Sequence, residues 1–372
     1  MKVVTIVGTR PELIKLSRVI AELDRAAKHV LVHTGQNYDY ELNEVFFRDL
    51  GIRRPDHFLA VADGTLGETI GNVIARSYRV LEAERPDAAL LLGDTNSCLA
   101  AISAKRLKIP LFHMEAGNRC FDERVPEEVN RRIVDHTSDV NLVYTEHARR
   151  YLLAEGLRPE TVIKTGSPMR EVLEHYRRGI EVSDVLARLG LERGRYFVVS
   201  AHREENVDSE ANLRDLLATL RALAARFRQQ VIFSTHPRTQ KRLEASGADV
   251  GGTDVRFLKP LGFFDYVKLQ TDAFCVLSDS GTITEESSIL GFPAVTIRQA
   301  HERPEGMDVG TLIMCGLKPE TVLEAVETVR RHADEGWRFR VAPDYEVSDV
   351  SAKVTRIILS YTDYVNRRVW MK

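Results

Sequence analysis

Residues 112–139 read FHMEAGNRCFDERVPEEVNRRIVDHTSD. Phe112 to Met114 close an apolar run that begins at Pro110 and reads as a buried strand, with Glu115 at its tip. A short polar loop follows, and Pro126-Glu127-Glu128 then opens a helix, proline suiting the first turn and acidic residues its positive end. Strand, loop and returning helix make one half of a βαβ unit, and the rest of the chain repeats that unit.

Upstream and downstream of this stretch, short apolar runs predict strands at Lys2 to Val7, Val30 to Thr34, Ala88 to Gly93, Pro110 to Met114, Asn141 to Tyr144 and Val162 to Lys164. Segments of helical period separate them: Pro11 to Arg25, Glu41 to Leu50, Gly67 to Glu84 and Ser97 to Arg106. Gly166-Ser167-Pro168 is a breaker cluster, after which a second series begins. Its strands are predicted at Tyr196 to Ser200, Gln230 to Ser234, Val255 to Leu258, Phe274 to Ser278 and Ala294 to Ile297, with helices such as Leu213 to Phe227 and Thr282 to Leu290. A chain of 372 residues is too long for one ordinary core. The expected fold class is therefore α/β, with two Rossmann-like doubly wound domains facing a cleft. The first spans residues 1–168 and the second 169–354, while an amphipathic helix within Ser348 to Val369 brings residues 355–372 back onto the first.

Composition excludes several classes. With 52 basic and 54 acidic residues the formal charge is -2, which provides no general field for nucleic acid or a membrane surface. Any anion must be held by local arginines, which points to a small ligand. MKVVTIVGTRPE enters a strand at once without the features of a signal peptide, and no apolar run is long enough to span a bilayer, so the expectation is a cytoplasmic protein. Cys98, Cys120, Cys275 and Cys315 are scattered and form no zinc or redox spacing.

In open parallel sheets, ligands meet the carboxyl ends of the strands, so the residues after each strand carry the functional reading. Gly8-Thr9-Arg10-Pro11-Glu12 follows the first strand and is neither GxGxxG nor a Walker loop. Gly8 would let a ligand approach the backbone, and Arg10 and Lys15 would meet phosphate; a tight βα turn with a solvated arginine is the alternative. Asp94 is either a helix cap or an acid. Glu115 precedes Ala116-Gly117, which permits close approach. Glu127 and Glu128 each have an arginine four residues on, so a solvated helix face explains them as well as chemistry does. In the second half, His202 and Arg203 follow a strand and so does His236. Ser280-Gly281-Thr282 opens a helix whose free N–H groups suit a phosphate, and Glu285 or Glu286 would take a ribose diol. The loop from Arg298 to Gly306, containing His301 and Arg303, is dense in polar groups.

The motifs GTRPE, LGDT, HMEAG, PEEVNR, SAHREEN, SDSG followed by EE, and ERPEG occur in this order from Gly8 to Gly306. In this the chain resembles the non-hydrolysing UDP-N-acetylglucosamine 2-epimerases, whose fold is similar to the GT-B glycosyltransferases. The resemblance implies acid/base roles for Asp94, Glu115, Glu127 and His202. It implies UDP-sugar contacts for Arg10, Lys15, His202, His236, Ser280, Gly281, Glu286 and Arg303, a homodimer, and neither metal nor cofactor. HTGQNYDYELNE and GNRCFDERVPEEVNRRIVDHTSD look most like the branch that makes UDP-N-acetyl-L-fucosamine from UDP-2-acetamido-2,6-dideoxy-L-talose; the alternative is interconversion of UDP-N-acetylglucosamine and UDP-N-acetylmannosamine. The chain departs from the better-known members in a shorter loop between Glu115 and Glu127, and in Ser280-Gly281-Thr282 where many carry Ser-Gly-Gly. Around Gln36-Asn37-Tyr38 and Ala62-Asp63-Gly64 it also lacks the residues of their regulatory sugar-nucleotide site. Rival classes are a retaining glycosyltransferase, which needs no base at C2, a hydrolysing epimerase and a non-catalytic sugar-nucleotide sensor.

Overall fold

The computed structural model describes residues 1–36, 40–246, 254–300 and 302–372, so Asn37, Tyr38 and His301 lie outside the described residues. The chain forms two compact units, Met1–His175 with Pro343–Lys372, and Tyr176–Ala342.

The first unit is built on β1 (Lys2–Val7), β2 (Lys28–His33), β3 (His57–Phe58), β4 (Ala88–Leu92), β5 (Leu111–Ala116), β6 (Val140–Val143) and β7 (Val162–Lys164). They lie side by side in the order β3-β2-β1-β4-β5-β6-β7, every pair parallel. Strands joined by crossover helices need both faces covered, which is why β1 and β4 are buried along nearly their whole length instead of on alternate residues. The helix Arg10–Ala26 buries Leu13, Leu16, Val19, Ile20 and Leu23. The helices Leu66–Glu84 and Ala100–Arg106 bury Val73, Leu81, Ala101 and Ala104 in one core with Val4, Ile6, Val30, Val32, Ala89 and Leu91.

The second unit repeats the scheme with β8 (Tyr196–Ser200), β9 (Gln230–Ser234), β10 (Val255–Leu258), β11 (Cys275–Ser278), β12 (Ala294–Thr296) and β13 (Ile313–Met314). Their order is β10-β9-β8-β11-β12-β13, again all parallel. Both sheets thus have the doubly wound order in which winding reverses, between β1 and β4 in one and between β8 and β11 in the other. Among the described residues no helix is long and apolar enough to cross a membrane.

The structure departs from the sequence reading in several places. β3 and β13 are two-residue edge strands, too short to show any periodicity. β5 does not stop at Met114: it runs to Ala116 through a bulge, its pairing with β6 skipping Glu115. Ser97 to Arg106 is a 3-10 turn, Asn96–Leu99, followed by the helix Ala100–Arg106. The first unit extends past residue 168 because the helix Met169–His175 packs on Arg10–Ala26, where Arg18 Nη1 meets His175 Nε2 at 3.0 Å. The chain rejoins that unit at Pro343 rather than 355. Ser167 N donates to the carbonyl of Asp344 at 2.9 Å, and Lys164 pairs with its carboxylate at 2.9 Å. The helix Val350–Val365 then lies along Arg10–Ala26, and its residue Ser351 donates its N–H to Glu171 at 2.9 Å.

Gly8 at the end of β1 owes its identity to packing inside the protein. A Cβ there would lie 1.9 Å from Ser97 Oγ and 2.2 Å from Thr34 Oγ1, two hydroxyls that bond each other at 2.8 Å. We predict that Gly8→Ala costs about 1–3 kcal/mol in urea unfolding, and that adding Ser97→Gly recovers part of it. An unchanged midpoint in the single variant would show that the loop yields freely.

Candidate active site

The rim of the first unit is assembled by strand ends and one helix. Gly93, at φ 73°, turns the chain out of β4 and presents Asp94. Glu115 sits in the bulge of β5 at φ 63°, a left-handed conformation that a side chain adopts only at a cost of about 1–3 kcal/mol. Its Oε2 is 2.6 Å from Lys15 Nζ, with both side chains nearly buried, and Asn118 Nδ2 donates to its Oε1 at 3.4 Å. Lys15 also stands 5.9 Å from the centroid of the Tyr144 ring. Arg10, which opens its helix half-buried, lies 5.6 Å over the ring of Phe46.

The helix Pro126–Thr137 reads differently from a solvated face. Arg131 is buried: its Nε donates to Asp94 Oδ2 at 2.7 Å and its Nη1 to Glu128 Oε2 at 3.0 Å. Glu128 is buried too, and accepts from Cys120 N at 3.1 Å and Cys120 Sγ at 3.3 Å. Asn130 donates to the Asp94 carbonyl at 2.9 Å. Glu127 is half-buried one turn before Arg131. Arg131 thus bonds Asp94 and Glu128, because the helix packs this face on the end of β4.

Glu12 ties the β1 and β4 loops together, accepting from Gly8 N and from Thr95 Oγ1 at 2.5 Å each. Burial pushes its carboxyl up to about 7, against the lowering effect of its bonds from Thr95, Gly8 and Thr9.

In the second unit the organising group is Asp279, fully buried after β11. Its Oδ2 accepts from the backbone N–H groups of His202 and Arg203 at 2.9 Å each and from Asn206 Nδ2 at 3.1 Å, and its Oδ1 is 3.0 Å from His202 Nδ1. Burial works to raise this carboxyl, but the His202 ring and these N–H bonds outweigh it and hold it well below the usual carboxylate range. His202 is partly exposed, its ring 5.6 Å from that of His236. The Ser280 and Thr282 hydroxyls bond each other at 3.0 Å at the start of the helix Thr282–Leu290. A Cβ on Gly281 would stand 3.2 Å from Glu302 Oε2. Glu285 and Glu286 are both buried. Glu285 lies 3.3 Å from Arg303 Nη2, while Glu286 accepts from Gln270 Nε2 at 2.9 Å. Arg298, 3.1 Å from Glu302, and Arg203, 3.5 Å from it, extend this ionic cluster.

Arg10, Lys15, Asp94, Glu115 and Glu127 thus belong to the first unit, and His202, His236, Ser280, Gly281, Glu286 and Arg303 to the second. Sequence reasoning passed over the supporting roles of Glu12, Glu128, Asp135 and Asp279. For Asp135 a signal existed, since Glu127, Arg131 and Asp135 recur every four residues along one helix face.

Two doubly wound parallel units with ionisable groups at their strand ends define a nucleotide-binding α/β architecture of the GT-B-like class. Within it, the chain belongs to the UDP-N-acetylglucosamine 2-epimerase family, whose model matches residues 21–359. It is 34% identical over 335 residues to a UDP-N-acetylglucosamine 2-epimerase of Methanococcus maripaludis, covering 88% of this chain and 91% of that one. Among solved structures it is similar to a UDP-N-acetylglucosamine 2-epimerase from Rickettsia bellii, with 57% identity, a TM-score of 0.93 and all of both chains covered. It is also similar to the Methanocaldococcus jannaschii UDP-GlcNAc 2-epimerase in complex with UDP-GlcNAc and UDP, with 32% identity, a TM-score of 0.91 and 96% and 99% of the two chains covered.

The raised carboxyl of Glu12 makes a prediction about stability. Folding favours its protonated form, so its contribution is full below the ordinary value of 4.5 and is lost as pH rises through about 7. Across that window the loss is on the order of 3 kcal/mol. Glu12→Gln, which resembles the protonated form, should flatten the fall in Tm between pH 5 and about 8 relative to the parent chain. Parallel Tm curves for the two proteins would mean that Glu12 is ionised throughout.

Proposed function

We propose that this chain epimerises C2 of a UDP-2-acetamido sugar by eliminating UDP to a glycal and adding it back. The observation that carries the reading is the pair of carboxylates at neighbouring strand ends, Glu115 on Lys15 and Asp94 on Arg131. Each is backed by a cation and set where a doubly wound sheet meets its ligand.

The hydrogen on C2 of such a sugar is not next to a carbonyl, so a carboxylate cannot remove it directly. Breaking the bond from C1 to the UDP oxygen first gives C1 oxocarbenium character, which acidifies C2. A base then takes the C2 proton, leaving the glycal and UDP. Return of a proton to the opposite face of C2 and re-addition of UDP at C1 inverts the centre, with no net change in composition. Glu115, Asp94 and Glu127 are the acid/base groups for the two faces, such groups contributing about 10²–10⁴-fold each. Arg10, His202 and the Ser280-Gly281 turn support the charge that develops on the departing diphosphate. Lys15, His236, Glu286 and Arg303 bind the rest of the nucleotide sugar. The scheme consumes no redox cofactor, and an acceptor sugar, which a transferase would require, has no part in it.

For the sugar, we propose the 6-deoxy-L-talo configuration, converted to UDP-N-acetyl-L-fucosamine for cell-surface polysaccharide. Support comes from the 117–139 stretch, where the shortened loop places Cys120 on Glu128 and so shapes the surroundings of the acids. UDP-N-acetylglucosamine is the second reading, favoured by the names of the similar proteins. A homodimer working in the cytoplasm belongs to the same proposal.

Turnover in D2O should place deuterium at C2 of the product, seen by NMR, and the 6-deoxy-L-talo substrate should react at least about tenfold faster than UDP-N-acetylglucosamine. Unlabelled product sinks the elimination scheme, while the reverse preference assigns the other sugar. Glu115→Gln should lower turnover by about 10²–10⁴-fold with UDP affinity kept. Loss of UDP binding instead would make Glu115 a structural residue.

A further inference from the structure

Asp135 belongs to no motif that carries the proposed chemistry, yet it is fully buried and bonded on every side. Its Oδ1 is 2.9 Å from His113 Nδ1, its Oδ2 accepts from Arg119 Nη1 at 2.7 Å, and both oxygens lie 3.2 Å from Gly117 N. His113 and Gly117 are the residues two before and two after Glu115. The carboxylate therefore grips both shoulders of the bulge in which Glu115 adopts its left-handed φ of 63°. A strained non-glycine conformation persists only where its surroundings over-determine it, and here Asp135 holds the residues on both sides of it.

The grip also reaches the neighbouring strand. His113 Nε2 lies 2.9 Å from the carbonyl of Gly93, to which it donates. The ring thus bonds the residue just before Asp94 as well as Asp135. Arg119 completes the cluster, its Nε and Nη2 donating to Glu155 at 2.8 Å and 2.7 Å. Glu127, Arg131 and Asp135 follow one another at four-residue spacing, so a single helix face carries one candidate acid, the cation on the second and the clamp on the third.

We propose that Asp135 is a positioning residue for proton transfer at C2, acting through Glu115 and, by way of His113, on the loop of Asp94. The inference rests on the epimerase reading above. Its physical content is that Glu115 freed from the left-handed bulge relaxes toward ordinary strand geometry, which turns its carboxylate away from its present place.

Asp135→Asn tests it, because asparagine keeps the shape and one acceptor oxygen but cannot serve His113, Gly117 and Arg119 together, while Arg119 retains Glu155. In the full chain at a temperature well below Tm, kcat should fall by about 10²-fold while UDP affinity stays within about threefold. In a Glu115→Gln background the same substitution should cost less than about threefold more, since the two act as one unit. An undiminished kcat, or losses that multiply in the double variant, overturns the proposal. If Asp135→Asn does not fold, His113→Gln decides, its amide able to donate to Gly93 but forming a weaker clamp. A fall in kcat with UDP affinity intact supports the role, and parental kcat removes it. Failure of the underlying reading looks different, since the unmodified chain would then leave no deuterium at C2 in D2O.

Discussion

Neighbouring parallel strands cannot be joined by a tight turn, because the chain must travel the length of the sheet before the next strand begins. Each return is made by a helix, and all carboxyl ends come to lie along one edge of the sheet. Where winding reverses, the two central strands send their following loops to opposite faces and leave their ends open. In the first unit this place lies between β1 and β4, so that Gly8 to Glu12 faces Gly93 to Ser97. In the second it lies between β8 and β11, which puts His202 beside Asp279 and Ser280. Arg10, Asp94, His202 and Ser280 are collected at these points by topology before any side chain contributes.

Side-chain chemistry then sets their geometry, at a cost in desolvation that pairing offsets. Arg131 lies between Asp94 and Glu128, Arg119 between Asp135 and Glu155, and Asp279 takes three N–H donors as well as the His202 ring. Removing one partner from such a group leaves a buried charge uncompensated and costs about 3–5 kcal/mol, whereas the intact network adds little net stability. Their value is directional: each orients a loop at a strand end. Glu12 is the exception, since it has hydrogen bonds but, among the described residues, no cation against it, and burial therefore carries its carboxyl up to about 7.

Much of this was legible in the chain. Largely apolar runs such as Val3 to Val7 and Phe197 to Val199 are buried on both faces of a parallel sheet, as its central strands require. The ordered motifs marked the strand ends and, with them, most of the candidate residues. Glu128 was harder. With Glu127 beside it and arginines four residues beyond both, the local pattern equally describes a solvated helix, and only the angle at which Pro126–Thr137 meets β4 decides which glutamate is buried. Asp279 was passed over because it bonds to backbone N–H groups, which leave no trace in composition or spacing.

What the sequence by itself determined is the α/β class, the repetition of the doubly wound unit and the ordered placement of ionisable residues after strands. These follow from local periodicity and from breakers such as Gly166-Ser167-Pro168. Only the tertiary structure decided that the first unit ends at His175 and resumes at Pro343, because that boundary depends on contacts such as Glu171 with Ser351 between segments remote in the chain. It likewise decided that Glu115 stands in a left-handed bulge. No residue type announces that conformation; it is imposed from outside by a carboxylate twenty residues on, at Asp135, and by the strand pairing that steps past it.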